Sequence, residues 1–285
     1  MIAIDWGTSA FRAYRLDSNG SISDSRAAAK GILSVLAGQF PQVLEEQVGD
    51  WIGQGEAPIV MSGMVGSRQG WVEAPYVPCP AGFAEIAAAL REVRWGERRA
   101  WIVPGLSCRD AAGVHDVMRG EEVQILGAEE EGHICLPGTH SKWVVVEDQK
   151  IVRFSTYMTG ELYAVLKQHS ILGRMMDEGK PDPRAFAEGV ERSGQPGGLL
   201  HHLFGVRTRG LMGELAAAAS ASYLSGMLIG HELRAFEVKK LCLLGTPELV
   251  ALYARAAELL DIETQVLESH AAARGLLRLG VMLRR

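Results

Sequence analysis

The chain carries one short device twice. Ile2-Ala3-Ile4-Asp5-Trp6-Gly7-Thr8-Ser9 runs into Phe11-Arg12-Ala13-Tyr14-Arg15-Leu16, and His133-Ile134-Cys135-Leu136-Pro137-Gly138-Thr139-His140 runs into Trp143-Val144-Val145-Val146. Each reads as a buried strand, a tight glycine turn with hydroxyls, and a second strand of β-branched or aromatic residues. A glycine turn lets backbone N–H groups approach an anion closely, and a flanking Thr or Ser adds a donor. Either alone reads as an ordinary hairpin turn. Two in one chain can grip a polyphosphate from both sides, and phosphoryl transfer is mostly positioning and charge neutralisation.

The surrounding elements repeat too. Hydrophobic spacing predicts strands over 2–6, 11–16 and 22–29, a helix over 40–53, a strand over 58–61, a helix over 83–93, a strand over 101–103 and a helix over 121–127. The second half predicts strands over 133–136, 142–147 and 150–156 and a helix over 160–169. Loops interrupt 177–198, where Pro and Gly cluster. A helix over 213–236, a strand over 240–244, a helix over 247–260, a strand over 263–267 and a last helix from 270 complete it. Three strands followed by alternating helix and strand, twice over, imply a duplicated α/β unit with a cleft between the copies.

With 285 residues, 47% of them hydrophobic, the chain can bury a full core. Its net charge of −5 and lack of a basic tract exclude nucleic acid as the main partner. Anionic ligands would therefore need local positive charge, from a few Arg or Lys residues or a metal ion. Cys79, Cys108, Cys135 and Cys242 are far apart with no Cys-x-x-Cys, which supports neither zinc nor a disulfide framework and fits a reducing cytoplasm. The start enters an apolar strand without a basic leader segment. The uncharged stretch from Leu215 to Gly230 is too short and too rich in small residues to span a bilayer, so no membrane is expected and a buried, closely packed helix is. Gly179-Lys180 precedes Pro181, so there is no P-loop, and no Gly-x-Gly-x-x-Gly is present.

Asp5-x-Gly7-Thr8-Ser9, Gly138-Thr139 and Leu243-Leu244-Gly245-Thr246 occur in the order of the two phosphate motifs and the adenosine motif of the sugar kinase, heat-shock and actin superfamily. A narrower resemblance lies in Ile4-Asp5-Trp6-Gly7, Gly63-Met64-Val65-Gly66-Ser67, Val117-Met118-Arg119-Gly120-Glu121-Glu122, Pro137-Gly138-Thr139-His140-Ser141-Lys142-Trp143 and Met158-Thr159-Gly160-Glu161-Leu162. Together these resemble the 2-dehydro-3-deoxygalactonokinase family over essentially the whole chain. The resemblance implies an α/β chain of two ribonuclease-H-like domains with mixed sheets around a central cleft, the actin-like ATPase fold. The expected division is 1–128 and 129–285, with the last helix able to pack back on the first domain. It also implies ATP with Mg²⁺ and phosphorylation of a 2-keto-3-deoxy sugar acid at its terminal hydroxyl, in cytoplasmic galactonate catabolism.

The resemblance assigns roles by position. Asp5 would hold Mg²⁺ largely through water; the plain alternative is a turn cap. Gly7, Thr8 and Ser9 would donate to the β- and γ-phosphates, opposed by Gly138, Thr139 and His140. Arg12 would counter the charge of the transferring group, or be an exposed strand arginine. Strand alternation allows Lys142 to point outward instead of toward phosphate. Glu121 stands where glycerol kinase opens the corresponding helix with its catalytic Asp, so it would take the hydroxyl proton; Asp116 is the second candidate, and a first-turn helix acid the alternative. Gly66 and Ser67 would give the substrate carboxylate its donors, with charge from Arg119 or Arg68. Trp71 reads as an apolar wall or as core. Thr159 and Glu161 would reach hydroxyls, and Gly245 and Thr246 would face the base or ribose. Two other functions fit: a kinase of the same fold for another sugar acid or polyol, and a non-catalytic nucleotide-dependent sensor. Oligomeric state stays open.

Overall fold

The computed structural model describes residues 1–17, 19–52, 58–268 and 270–283. The last residue of the helix expected over 40–53 lies outside them. Strands are β1 (Ile2–Trp6), β2 (Phe11–Leu16), β3 (Ile22–Ala28), β4 (Ile59–Ser62), β5 (Tyr76–Pro78), β6 (Arg91–Trp95), β7 (Arg98–Ile102), β8 (Gly105–Arg109), β9 (His115–Met118), β10 (Gly132–Leu136), β11 (Ser141–Glu147), β12 (Lys150–Tyr157), β13 (Lys240–Leu243) and β14 (Glu263–Val266). Helices are α1 (Phe40–Ile52), α2 (Phe83–Ala88), α3 (Glu121–Ala128), α4 (Thr159–His169), α5 (Pro183–Arg192), α6 (Gly198–Leu211), α7 (Ser220–Leu233), α8 (Pro247–Glu258) and α9 (Ala271–Met282).

The strands form a sheet ordered β3-β2-β1-β4-β7-β6, a second ordered β12-β11-β10-β13-β14, and a small third ordered β5-β8-β9. In the first, β1 pairs antiparallel with β2 and parallel with β4, and β4 runs parallel to β7. In the second, β10, β13 and β14 are mutually parallel neighbours. The two large sheets thus share one plan, the mixed order of a ribonuclease-H-like unit, with β6 added at one edge. Polar β3 forms the opposite edge, largely exposed, as an edge strand tolerates. Six successive residues of β11 are buried, because both faces of that strand are covered.

Contacts divide the chain into two compact units, Met1–Gly132 with Val144–Ser155 and Glu268–Arg285, and His133–Trp143 with Thr156–Leu267. Each unit thus draws on more than one stretch of the chain. In the first unit, Ala81 and Ile151 bridge each other through two backbone bonds, and Lys150 pairs with Glu85. The last helix, α9, lies against α3 at backbone distance: a Cβ on Gly127 would fall 2.0 Å from Ala271 O, and one on Gly275 2.2 Å from Val123 O. The first unit's core gathers Ile2, Ile4, Trp6, Phe11, Phe40, Leu44 and Ile102. The second unit's cores flank α7, which is buried along most of its length. Among the described residues no helix is long and apolar enough to cross a membrane.

Three local expectations change. The helix over 83–93 stops at Ala88, and Arg91–Trp95 is a strand whose buried Val93 alternates with exposed neighbours. It turns into β7 through Gly96-Glu97, a two-residue hairpin loop with Gly96 at φ 58°. The interrupted 177–198 segment contains α5, opened by Asp182, whose carboxylate accepts the Arg184 and Ala185 N–H groups, with Pro183 in the first turn. The long helix over 213–236 is shortened to α7, because Gly213 at φ 74° and a 3₁₀ turn at Ala217–Ala219 precede it.

Gly275→Ala should cost about 1–3 kcal/mol, because overpacking at this contact forces the two helix backbones apart. Urea midpoints read this directly, and an unchanged midpoint would mean that α9 tolerates displacement.

Candidate active site

In the first unit the expected residues collect where β1 and β4 end. Asp5 lies opposite Ser62 across the parallel pair, so the segments that follow leave from the carboxyl edge, where open α/β sheets present ligands. The Gly7 N–H closes its turn on Ala10 O at 2.9 Å, and the Ile32 and Leu33 N–H groups donate to Gly7 O and Thr8 O at 3.0 and 3.2 Å. Contrary to expectation, the Gly7 N–H is thereby committed inside the turn. Thr8 and Ser9 remain exposed.

Arg12 Nη1 lies 3.3 Å from Asp5 Oδ2 across the β1–β2 pair, and about half of the Arg12 side chain is exposed. Burial raises the Asp5 carboxyl above its usual range; Arg12 draws it down and the charge of Glu121 raises it further. Gly63 and Gly120 make that proximity possible. Their φ angles of 93° and 109° lie in the left-handed region, and a Cβ on Gly63 would sit 2.8 Å from Trp6 O. A Cβ on Gly120 would sit 3.0 Å from Gly63 Cα, so the start of α3 docks backbone to backbone beside β4.

Two consecutive acids open α3. Glu121 Oε2 accepts the Arg119 N–H at 3.0 Å, and Glu122 Oε2 accepts the Gly120 N–H at 2.7 Å. Glu122 is fully buried, and its Oε1 has no partner among the described residues. Burial, aided by the Glu121 charge, pushes its carboxyl up to about 8. Asp116 instead stands on β9 opposite Cys108, its Oδ1 accepting the Val117 N–H at 2.8 Å.

Arg119, between β9 and α3, is only 8% exposed. Its guanidinium lies 4.3 Å from the Tyr76 ring centroid and Nη2 donates to Ala74 O at 2.8 Å, while Nε and Nη1 have no partner among the described residues. Gly66 leaves room for it: a Cβ there would meet Arg119 Nη1 at 3.1 Å and Ile102 at 2.7 Å. The donors expected of Gly66 and Ser67 are spent locally. The Gly66 N–H bonds Gly63 O, and both the N–H and the hydroxyl of Ser67 bond Met64 O. Trp71 packs in the core, stacked on Phe40 and edge-on to Trp95. Arg68 forms an exposed pair with Glu73.

In the second unit, Gly245 lies beside the end of β10, its Cβ position 3.5 Å from Pro137 O. Gly138, Thr139 and His140 are clamped by α4. The Glu161 N–H donates to Thr139 O at 2.9 Å, Gly160 is close enough that a Cβ would lie 2.4 Å from Gly138 O, and the Glu161 carboxylate meets the His140 ring. Lys142 is buried, against the outward reading, and its Nζ reaches back to His140 O at 3.5 Å. Thr159 donates its hydroxyl proton to buried Glu232, which removes it as a donor to a substrate hydroxyl. Thr246 caps α8 by position, its carbonyl accepting the Val250 N–H at 2.9 Å.

The family model for 2-keto-3-deoxy-galactonokinase matches residues 5–279. The chain belongs to that family. It is 39% identical over 235 residues to 2-dehydro-3-deoxygalactonokinase of Escherichia coli (strain K12), covering 81% of this chain and 78% of that one. A Sinorhizobium meliloti crystal structure, attributed to a 2-dehydro-3-deoxygalactonokinase protein, superposes with a TM-score of 0.90 at 35% identity, covering 99% and 98% of the two chains. The activator of 2-hydroxyisocaproyl-CoA dehydratase from Clostridium difficile, with bound ADPNP, shares the fold at a TM-score of 0.50 and 11% identity, covering 100% and 96%. This member of the galactonokinase family is thus an α/β protein with mixed sheets in two halves, of the actin-like ATPase fold.

Glu122 and Glu232 were missed from the sequence. The signal for Glu232 was present: an acid that follows a long uncharged run on a helix whose neighbouring positions are apolar. Glu122 carries a prediction. Between the ordinary 4.5 and about 8 the folded chain keeps a proton here that the unfolded chain has released, so stability falls as pH rises through that window. Glu122→Gln should flatten the fall, and urea midpoints of variant and parent should diverge in the variant's favour from about pH 5 to about pH 8. Parallel curves would mean that Glu122 is ionised in the folded chain.

Proposed function

We propose that this chain transfers the γ-phosphoryl group of ATP to the terminal hydroxyl of 2-dehydro-3-deoxy-D-galactonate, giving the 6-phosphate and ADP in galactonate catabolism. Family membership supports the reaction. The observation that carries the site reading is the meeting, at one sheet edge, of Asp5, Arg12 and Glu121 beside a buried Arg119 whose Nε and Nη1 have no partner among the described residues. A buried cation with uncommitted donors suits a carboxylate, the group that distinguishes a sugar acid from a neutral sugar.

The divalent ion is tested by the donor set. Among the described residues no group of three or more His, Cys, Asp or Glu side chains is arranged to hold a metal. Asp5 supplies one carboxylate, and burial, with a smaller push from Glu121, makes that charge costly to hold. One carboxylate with phosphate and water is the set Mg²⁺ accepts. Bound there, Mg²⁺ would neutralise charge on the β- and γ-phosphates. Glu121 takes the proton of the attacking hydroxyl, and the α3 N-terminus stabilises its charge until then. Arg12 shifts its pairing from Asp5 toward the transferring group. In the first unit Thr8 and Ser9 would hold phosphate; in the second the Gly138–His140 turn would hold phosphate, with Lys142 adding charge behind it and Gly245 and Thr246 facing the nucleoside.

Coupled ADP release with Mg-ATP tests the activity, comparing the galactonate compound, its gluconate epimer and no sugar. Fast turnover with the galactonate compound is expected. Background rates with both sugars would overturn the assignment, and equal rates would widen its specificity. Glu121→Ala should lower kcat by about 10²–10⁴-fold while ATP still binds. Arg119→Met should raise the sugar-acid KM by about tenfold or more, the loss of one charge-assisted bond. Near-normal constants would remove either residue from its role.

A further inference from the structure

The second unit contains a buried carboxylate for which the reaction has no use. Glu232, on α7, is 2% exposed. Its Oε1 accepts the Trp143 Nε1–H at 2.8 Å, and its Oε2 accepts the Tyr253 hydroxyl at 2.7 Å together with the Thr159 hydroxyl. Ser141 Oγ lies 2.9 Å from Tyr253 Oη. An indole nitrogen only donates, and a phenol has one proton. With that proton given to Glu232, the Ser141 hydroxyl must donate to Tyr253. The network therefore has one direction, Ser141 to Tyr253 to Glu232, with Trp143 and Thr159 donating to the same carboxylate. Burial raises the Glu232 carboxyl above its ordinary range, and the Thr159, Tyr253 and Trp143 bonds draw it back down.

The donors come from three segments that frame one turn. Ser141 follows His140 directly, and Trp143 lies two residues further along β11, stacked 3.8 Å from Phe236. Thr159 opens α4, whose next two residues clamp Gly138 and Thr139. Tyr253 belongs to α8, the helix opened by Gly245-Thr246-Pro247. We infer that Glu232 is the positioning residue of the second phosphate turn, its carboxyl oxygens tying β11, α4 and α8 together around Gly138–His140 without touching nucleotide. This inference rests on that turn holding phosphate.

Glu232→Gln keeps the shape but sets an amide N–H₂ against donors. We expect the KM for ATP to rise about tenfold or more, the scale of a charge-assisted hydrogen bond, with the sugar-acid KM within about twofold. Tyr253→Phe removes one donor, should show the same split more weakly, and serves if Glu232→Gln does not fold. Leu224→Ala, a core truncation elsewhere on α7, controls for lost stability: it should lower the urea midpoint and leave the ATP KM unchanged. Equal rises in both KM values, or a Leu224→Ala variant that matches the Glu232→Gln split, would reduce Glu232 to a structural role. Thr139→Ala separates the two claims. If it raises the ATP KM while Glu232→Gln and Tyr253→Phe do not, the positioning role is wrong and the phosphate reading stands. A silent Thr139→Ala removes the phosphate reading, and the inference with it.

Discussion

Two parallel strand pairs, β1 with β4 and β10 with β13, determine where this chain can do chemistry. Parallel neighbours end at the same edge of a sheet, so the turns that follow them emerge side by side. In the first unit this puts Gly7 and Gly63 at one edge, and in the second Pro137-Gly138 and Gly245. Antiparallel β2 then folds back from the first turn and places Arg12 opposite Asp5. The helices that complete each edge, α3 and α4, arrive through glycines with no side chain to hold them off, Gly120 against Gly63 and Gly160 against Gly138. The proposed reacting groups owe their positions to backbone packing, which bends less than side chains do.

That packing concentrates charge. Asp5, Glu121 and Glu122 lie near one helix N-terminus, where burial, with the charge of Glu121 added, raises the carboxyls of Asp5 and Glu122. Each acid is tolerated on different terms. Asp5 has Arg12; Glu121 has a backbone N–H and the helix dipole; Glu122, fully buried, keeps its proton. Arg119 is the counterpart, a buried cation that the fold satisfies only in part through Ala74 and Tyr76. Burying an ion costs several kcal/mol unless it is paired. Under the proposed reaction, the Nε and Nη1 of Arg119, without a partner among the described residues, would meet the substrate carboxylate.

The sequence made the repeat legible because each copy concentrates a buried strand, a glycine turn and a second strand in fewer than twenty residues. The strands of both large sheets other than β6 follow from that pattern. The β5-β8-β9 sheet was hidden because strands such as Tyr76–Pro78 and His115–Met118 are too short and too exposed to show a period. At the site, motif positions located the acids and turns but not the destination of each hydrogen bond. Gly66, Ser67 and Thr159 sit where the motifs put them, yet their donors serve Gly63, Met64 and Glu232. Lys142 shows the limit of alternation: β11 is covered on both faces, so inward and outward lose their meaning there.

The two units solve the same problem with different chemistry. In the first, the groups beside the turn are ionic, two arginines with acids, which suits a place where charge develops. In the second, Glu232 is the one buried acid of its network, and neutral donors that cannot titrate near pH 7 surround it: an indole, two hydroxyls and, through the phenol, a third. Such a network holds geometry without offering a proton. Under the proposed function, the ionic groups of the first unit would serve reaction and the neutral network of the second would hold geometry.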